Sequence, residues 1–419
     1  MSHNQIKIES MYPFYILFTG RFISVFFNRL VILALSIILY EKTKNPVYVS
    51  LVFFWSVFPS LIFLGFFRSL VQYVGVTFNL NWLLELITAS LTLVLFIMIV
   101  PALESPWLIL LYVALVSTAN NLSKVTHQLL TNDLISENRN LIRANTANET
   151  MHNLSWVLAP MLAAFFLLYG GINGLLAGYI LGNCIYLLTL YLIKNSRRSS
   201  KAAINSPENM SAPNIVQQYR LLLYLDYQSK VILWLLFTRN ILSAFLVASI
   251  IPLVLSSYSL SMLGLLCLLG NAGIVAAFFF PLSYDSVKGI LSSITWGQIG
   301  VALSLILMGT SLFYLLALGL FIFLYALITT NSLDVMYFQR NDFKLSRDFL
   351  FGLREQMGIL GRLTGYALSG LLLSFLMIIA PYLNMDKAMI TSWMVLGVGV
   401  GFSLVFLGTK YVSSFAPRN

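Results

Sequence analysis

Apolar stretches of about 20 residues recur along nearly the whole chain, from near residue 11 to near residue 411. An α-helix rises about 1.5 Å per residue, so a stretch of that length crosses a bilayer core about 30 Å thick. Only 10% of the residues are charged, against about 25% in an ordinary soluble domain. Because such a chain cannot cover itself with polar surface, the sequence predicts an all-α, multi-pass integral membrane protein.

Twelve of these stretches are predicted to be membrane-spanning helices. They are 11–40, 47–67, 79–100, 106–131, 147–169, 172–193, 229–258, 260–282, 286–309, 311–336, 350–379 and 387–411. The first follows a short polar start without a small-residue cleavage site, so it is predicted to be a retained helix and not a signal peptide. A segment rich in Ser, Asn and Pro separates the twelve into two groups of six. The predicted domains are therefore 1–193 and 229–419, joined by a cytoplasmic linker at 194–228.

The loop cations predict the orientation of the chain. If the N-terminus is cytoplasmic, only Lys42, Lys44 and Lys387 among the loop lysines and arginines lie on the outer side. The positive-inside rule then places both termini in the cytoplasm and the protein in the inner (cytoplasmic) membrane. The net charge of +10 follows from this topology, so nucleic-acid binding is not expected.

The second half of the chain repeats the first. The segment LFTGRFISVF at 17–26 is similar to LFTRNILSAF at 236–245, and a weaker repeat relates Glu149 and Met151 to Glu355 and Met357. Transporters commonly consist of two such repeats with a substrate site near the middle of the membrane. The sequence therefore predicts two pseudo-symmetric six-helix bundles.

Two local stretches carry a family resemblance. They are LYEKTKNPVYVSLVFFWSVFPSLIFLG at 39–65 and LIRANTANETMHNLSWVLAPMLAAFF at 141–166. They resemble the first external loop with the second helix, and the start of the fifth helix, in one branch of the major facilitator superfamily. This branch contains the enterobactin exporter and macrolide-efflux-like proteins. The resemblance implies the major facilitator fold and an efflux function. Two positions depart from the pattern. Between helices two and three, where the branch usually has a Gly-x-Leu-x-Asp-Arg motif, this chain keeps Arg68 but has no Asp, and Asn28 stands where many relatives have a carboxylate.

Polar residues inside the first and seventh spans are predicted to bind the substrate. Arg21 and Arg239 lie at similar depths, and in strict register Arg21 aligns with Asn240. Ionisable residues inside a membrane are rare and usually functional. The planar guanidinium suits a carboxylate or phosphate, so the predicted set is Arg21, Asn28, Arg29, Arg239 and Asn240. The alternative is that each arginine binds a helix end or an internal carboxylate.

Other charged residues are predicted to form a gate and to carry protons. Lys124 and Asp334 occupy equivalent positions in spans four and ten, which approach each other in the implied fold, so a bridge between them is predicted to close the inner mouth. The alternative is two separate side chains that reach toward the interface. His127, Glu149 and Glu355 are the candidates for proton coupling.

Three further features complete the sequence-based predictions. Glu85 is expected to lie at the periphery of span three, and Arg354 and Arg362 are expected to anchor a loop or a gate. A small-residue face for close helix packing is predicted on span six. Its glycines are Gly170, Gly174, Gly178 and Gly182.

The function predicted from the sequence is gradient-driven transport and not enzymatic catalysis. The chain lacks phosphate-loop, H-E-x-x-H and G-x-S-x-G motifs, and no metal or cofactor is expected. The leading hypothesis is export of a small anionic metabolite such as a siderophore, with protons as the candidate coupling ion. The alternatives are multidrug efflux, import of an anionic nutrient or siderophore, and a lipid flippase. Membrane lipid is an expected partner, and the protein is expected to be a monomer.

Overall fold

A computed structural model describes most of the 419-residue chain. The described residues are 11–74, 77–99, 104–135, 162–197, 227–279, 287–340, 347–383 and 386–415, with scattered positions between 144 and 159 and Leu225. All regular secondary structure in these ranges is α-helical. The all-α prediction is therefore confirmed.

Each predicted span corresponds to a helix or to helical residues. The helices are α1 (Tyr12–Thr43), α2 (Pro46–Val74), α3 (Thr77–Ile97), α4 (Pro106–Leu134), α5 (described continuously over 162–169), α6 (Gly171–Arg197), α7 (Tyr227–Leu255), α8 (Leu260–Phe279), α9 (Val287–Met308), α10 (Phe313–Arg340), α11 (Arg347–Leu383) and α12 (Lys387–Phe415). Among the described residues, ten helices are long and apolar enough to cross a membrane. The prediction of a multi-pass membrane protein is confirmed.

The helices form two compact units. The first contains α1 up to Ala34 together with α3, α4 and α6, and the second contains α7 to α12 together with the segment Leu35–Leu61. In the first unit α3 packs against α4 and α6, and in the second α9 packs against α10 and α12. The same packing therefore recurs at corresponding places in the two halves, in line with the sequence repeat. The predicted division into two six-helix bundles at 194–228 stays a prediction.

Small residues allow very close packing between α7 and α11. A Cβ atom added to Gly361 would lie 2.5 Å from the carbonyl oxygen of Phe237, and one added to Gly365 would lie 2.3 Å from that of Ile241. In lipid, helices associate through such backbone contacts because burial from water does not drive them together. This contact fixes α11, which carries Arg354, against α7, which carries Arg239.

The small-residue face predicted on α6 is confirmed at two of its glycines. A Cβ at Gly178 would lie 2.4 Å from the Phe27 ring, and one at Gly182 would lie 3.3 Å from Ile23. A Cβ at Gly174 would meet no atom within 4 Å, so this position is not part of the packing contact.

Replacing Gly365 with Val is expected to separate α7 from α11 and to destabilise the protein. Inserting extra carbon atoms into a well-packed contact typically costs about 1–3 kcal/mol. The matched control is Gly397→Val on α12, where an added Cβ meets nothing within 4 Å. Thermal unfolding of the purified protein in detergent measures the difference. Equal melting temperatures for the two variants would contradict the close contact.

Candidate functional site

A buried ion pair joins α1 to α3 in the first unit. The guanidinium Nη1 of Arg21 pairs with the Glu85 carboxylate, and the two side chains are 1% and 0% exposed. Nη1 also donates to the Ser123 hydroxyl at 2.9 Å, and Nη2 donates to the Asn120 carbonyl oxygen at 3.3 Å. The expectation that Glu85 lies at the periphery is therefore wrong. The alternative role for Arg21, pairing with an internal carboxylate, is the arrangement found in the structure.

The Glu85 carboxylate is surrounded by polar groups from three other helices. The hydroxyl of Ser24 lies 3.2 Å from Oε2 of Glu85 and 2.8 Å from Oδ1 of Asn183. The hydroxyl of Ser123 lies 2.6 Å from Oε1 of Glu85 and 2.7 Å from Oδ1 of Asn81. Both carboxylate oxygens thus have neighbours within hydrogen-bond distance, and the ion pair is embedded in a polar network.

His127 belongs to the same network. Its Nδ1 lies 2.8 Å from the Tyr186 hydroxyl, and its Nε2 lies 3.3 Å from Oδ1 of Asn148. Tyr186 also accepts a hydrogen bond of 2.9 Å from the Asn81 amide. A hydrogen-bonded chain therefore leads from Glu85 to His127. The role of His127 in proton coupling stays a prediction.

The sequence contains a signal for Glu85 that was overlooked. Asn81, Glu85, Thr88 and Thr92 follow one another at intervals of three or four residues, and all four are fully buried. This spacing places them on one face of α3. A polar stripe on an otherwise apolar helix indicates the face that is turned toward protein and away from lipid.

The second unit also holds a buried ion pair, which leaves more polar atoms without a partner than the first, where Nε of Arg21 is the one such atom of the pair among the described residues. Nη2 of Arg239 pairs with the Asp334 carboxylate and donates to Oδ1 of Asn331 at 2.6 Å, and both charged side chains are 0% exposed. Nε and Nη1 of Arg239 and Oδ1 of Asp334 have no hydrogen-bond partner among the described residues. The same holds for Oε1 of Gln298 on α9. Buried polar atoms usually have partners, so these atoms require an explanation.

The cation that pairs with Asp334 in the structure is Arg239, and not Lys124 as predicted for the gate. The sequence alignment of the halves matched Lys124 with Asp334 by position alone. It did not show that α7 presents a guanidinium to this face of α10. The Lys124–Asp334 bridge and the gate role of these residues stay predictions.

Arg354 is a third charged residue in this region. The sequence analysis predicted only that it anchors a loop or a gate. It is half-buried and lies one helical turn before Gly358, where an added Cβ would be 3.7 Å from the Asn240 amide nitrogen. Arg354 interacts electrostatically with both Arg239 and Asp334. Its Nε has no hydrogen-bond partner in the described part of the chain. Arg354 thus adds a second positive charge to the surroundings of the Asp334 carboxylate.

The remaining predicted residues are described within their own helices. Asn28 is buried on α1, and Arg29 beside it is half-buried. The Asn240 amide donates to the Leu236 carbonyl oxygen of its own helix at 2.8 Å. The Glu355 side chain is 49% exposed, and its Oε1 lies 3.6 Å from Nη2 of Arg362. Glu149 lies outside the described residues. The described residues include no cluster of three His, Cys, Asp or Glu side chains suited to a metal ion.

The sequence matches no protein-family profile and no curated protein, but the fold matches solved structures. One is a variant of the nucleoside transporter NupG, with a TM-score of 0.63 and 10% identity over 94% of this chain and 99% of that one. A second is a bacterial homologue of the human lysosomal transporter Spinster, with a TM-score of 0.63 and 12% identity over 96% of this chain and 97% of that one. A third is a bacterial homologue of the iron transporter ferroportin, with a TM-score of 0.59 and 15% identity over 94% of this chain and 99% of that one.

The solved structures that this chain resembles are transporters of the major facilitator type. At 10–15% identity, the likeness shows the fold alone. The resemblance to the enterobactin-exporter branch stays a prediction, since it rests on two short stretches of sequence.

Proposed function

We propose that the chain is a secondary transporter that carries a small organic anion by alternating access, with Arg239 as the residue that binds the anion. The observation that carries this proposal is the unsatisfied guanidinium of Arg239. It is fully buried, yet the N–H groups on Nε and Nη1 have no acceptor among the described residues. A buried guanidinium with unpartnered N–H donors can bind the oxygens of a carboxylate, sulfonate or phosphate through charge-assisted hydrogen bonds.

Asp334 serves as the internal counter-ion of Arg239 when no substrate is bound. It pairs with Nη2 and leaves the donors on Nε and Nη1 without a partner among the described residues. Arg21 differs because Nη1 and Nη2 are both used within its own unit. The predicted anion-binding role, which the sequence analysis gave to both arginines, is therefore retained for Arg239 alone.

The substrate class that we propose is an iron-chelating organic anion of the siderophore type, moved out of the cell. Support comes from the two stretches that resemble the enterobactin-exporter branch and from the unpartnered donors of Arg239. A strain that lacks the protein is expected, under iron starvation, to release less chelator and to retain more inside. Unchanged release together with defective uptake of a supplied iron complex would instead identify an importer.

Replacing Arg239 with Gln is expected to lower the affinity of the protein for anions. The probe is benzenesulfonate, which stays ionised across the physiological pH range. A hydrogen bond to a charged group contributes about 1.5–3 kcal/mol, which corresponds to roughly ten- to over a hundredfold in affinity. Arg239→Lys is expected to recover only part of the loss because an ammonium on a flexible stem lacks the planar, fixed arrangement of guanidinium donors. Equilibrium binding to monodisperse protein measures the effect.

The matched control is Arg362→Gln, since Arg362 is an arginine of α11 that is 32% exposed and pairs with Glu355. This variant is expected to bind benzenesulfonate as the wild type does. Wild-type affinity in Arg239→Gln would reject Arg239 as the anion-binding residue.

A further inference from the structure

The charges around Arg239 do not cancel. Among the described residues, the charged groups that interact with Asp334 are Arg239 from α7, which pairs with it directly, and Arg354 from α11. Two cations and one anion leave the cluster of Arg239, Asp334 and Arg354 with one excess positive charge.

Neighbouring charges of α11 do not alter this balance. Glu355 and Arg362 carry opposite charges, and Oε1 of Glu355 lies 3.6 Å from Nη2 of Arg362. Their side chains are 49% and 32% exposed. The charge on Arg354 has no salt bridge within the described residues, and its Nε is without a hydrogen-bond acceptor there. The excess positive charge therefore lies on the guanidiniums of Arg239 and Arg354, which have N–H donors without an acceptor among the described residues.

We propose that this cluster binds an anion with a single net negative charge while Asp334 stays ionised, so that the substrate crosses without an accompanying proton. The inference rests on the proposed function and specifies its substrate class and driving force. Uncompensated charge inside a membrane protein is unfavourable, so a ligand that brings the cluster to neutrality is preferred. A neutral ligand leaves the excess positive charge, and a doubly charged one creates an excess negative charge.

This charge balance has a consequence for the direction of transport. A carrier that moves one negative charge per substrate responds to the membrane potential, and an inside-negative potential drives an anion outward. Export then needs no proton gradient. Coupling through protonation of Asp334 would instead move the proton and the anion in the same direction, which favours import.

The test uses three probes of similar shape: benzenesulfonamide, which is neutral, benzenesulfonate, which is singly charged, and benzene-1,3-disulfonate, which is doubly charged. The sulfonates keep their charge across the physiological pH range, so any pH dependence reports on the protein. We expect the wild type to prefer the singly charged probe and to bind it equally well across that range. In proteoliposomes, its flux is expected to follow an imposed potential and to ignore an imposed pH gradient.

Two variants change the charge of the cluster in opposite directions. Arg354→Gln removes one cation and is expected to lower benzenesulfonate affinity about tenfold or more, whereas Arg362→Gln is expected not to change it. Asp334→Asn removes the anion and is expected to shift the preference to the disulfonate. This reversal is a readout that a merely structural role of these residues would not produce.

The outcomes separate the inference from the proposed function. Preference of the wild type for the disulfonate, or binding that strengthens steeply as pH falls, would overturn the charge balance and leave anion transport standing. Absence of binding for both sulfonates would reject the proposed function itself, together with the inference that rests on it.

Discussion

Replacing Glu85 with Gln is expected to lower the stability of the protein by about 3–5 kcal/mol, because the change leaves the buried Arg21 without its counter-ion. The pair is 1% and 0% exposed, so water cannot take over the role of the lost carboxylate. The matched control is Glu355→Gln, which breaks an ion pair that is 49% and 32% exposed. Surface pairs contribute about 0–1 kcal/mol, so the control is expected to melt close to the wild type.

Thermal unfolding of the purified protein in one detergent compares these variants. A double replacement, Arg21→Met with Glu85→Leu, removes both charges and is expected to recover much of the lost stability. The recovery is expected to be incomplete, because Ser24 and Ser123 lose an acceptor that lies within 3.2 Å and 2.6 Å respectively. A double variant that is no more stable than Glu85→Gln would contradict the unpaired-charge explanation.

Asp334→Asn is expected to destabilise the second unit to a similar extent, but an added anion is expected to restore much of the loss. The difference lies in Arg239, whose Nε and Nη1 are open to a ligand, whereas Arg21 has neighbours on both terminal nitrogens. A ligand that binds only the folded state stabilises it by about 2.7 kcal/mol at a hundred times its dissociation constant.

The measurement is the melting temperature of Asp334→Asn and Glu85→Gln with and without benzene-1,3-disulfonate. We expect a clearly larger upward shift for Asp334→Asn than for Glu85→Gln or the wild type. Equal shifts in the two variants would mean that the two ion pairs have the same capacity for an external anion. The proposed division of roles between the units would then be wrong.

Much of the architecture was predictable because the bilayer fixes the length of its spanning helices. The predicted stretch 172–193 corresponds to Gly171–Arg197, and 260–282 corresponds to Leu260–Phe279. The similarity of 17–26 and 236–245 likewise predicted that the two halves use related helices. In the structure each of these helices carries a buried arginine in an ion pair.

The partners of these arginines were not predictable in the same way. In a soluble protein, alternation of polar and apolar residues shows which face of a helix is buried. Most of a membrane helix is apolar, and on α3 only the sparse polar stripe that includes Glu85 marks the buried face: Leu83, Leu86 and Ile87 are 48%, 38% and 41% exposed, whereas Glu85 is 0% exposed. The assignment of Glu85 to the periphery failed for this reason.

The sequence by itself determined the number and placement of the apolar stretches, their repetition, and which helices carry a charge inside the membrane. These properties depend on residues that are close together along the chain. Only the tertiary structure decided that Arg21 faces Glu85, that Arg239 faces Asp334, and that α11 brings Arg354 to the second pair. Such contacts depend on the rotation and packing of helices that are distant in sequence, and a rotation of one residue, about 100°, changes the partner that a side chain meets.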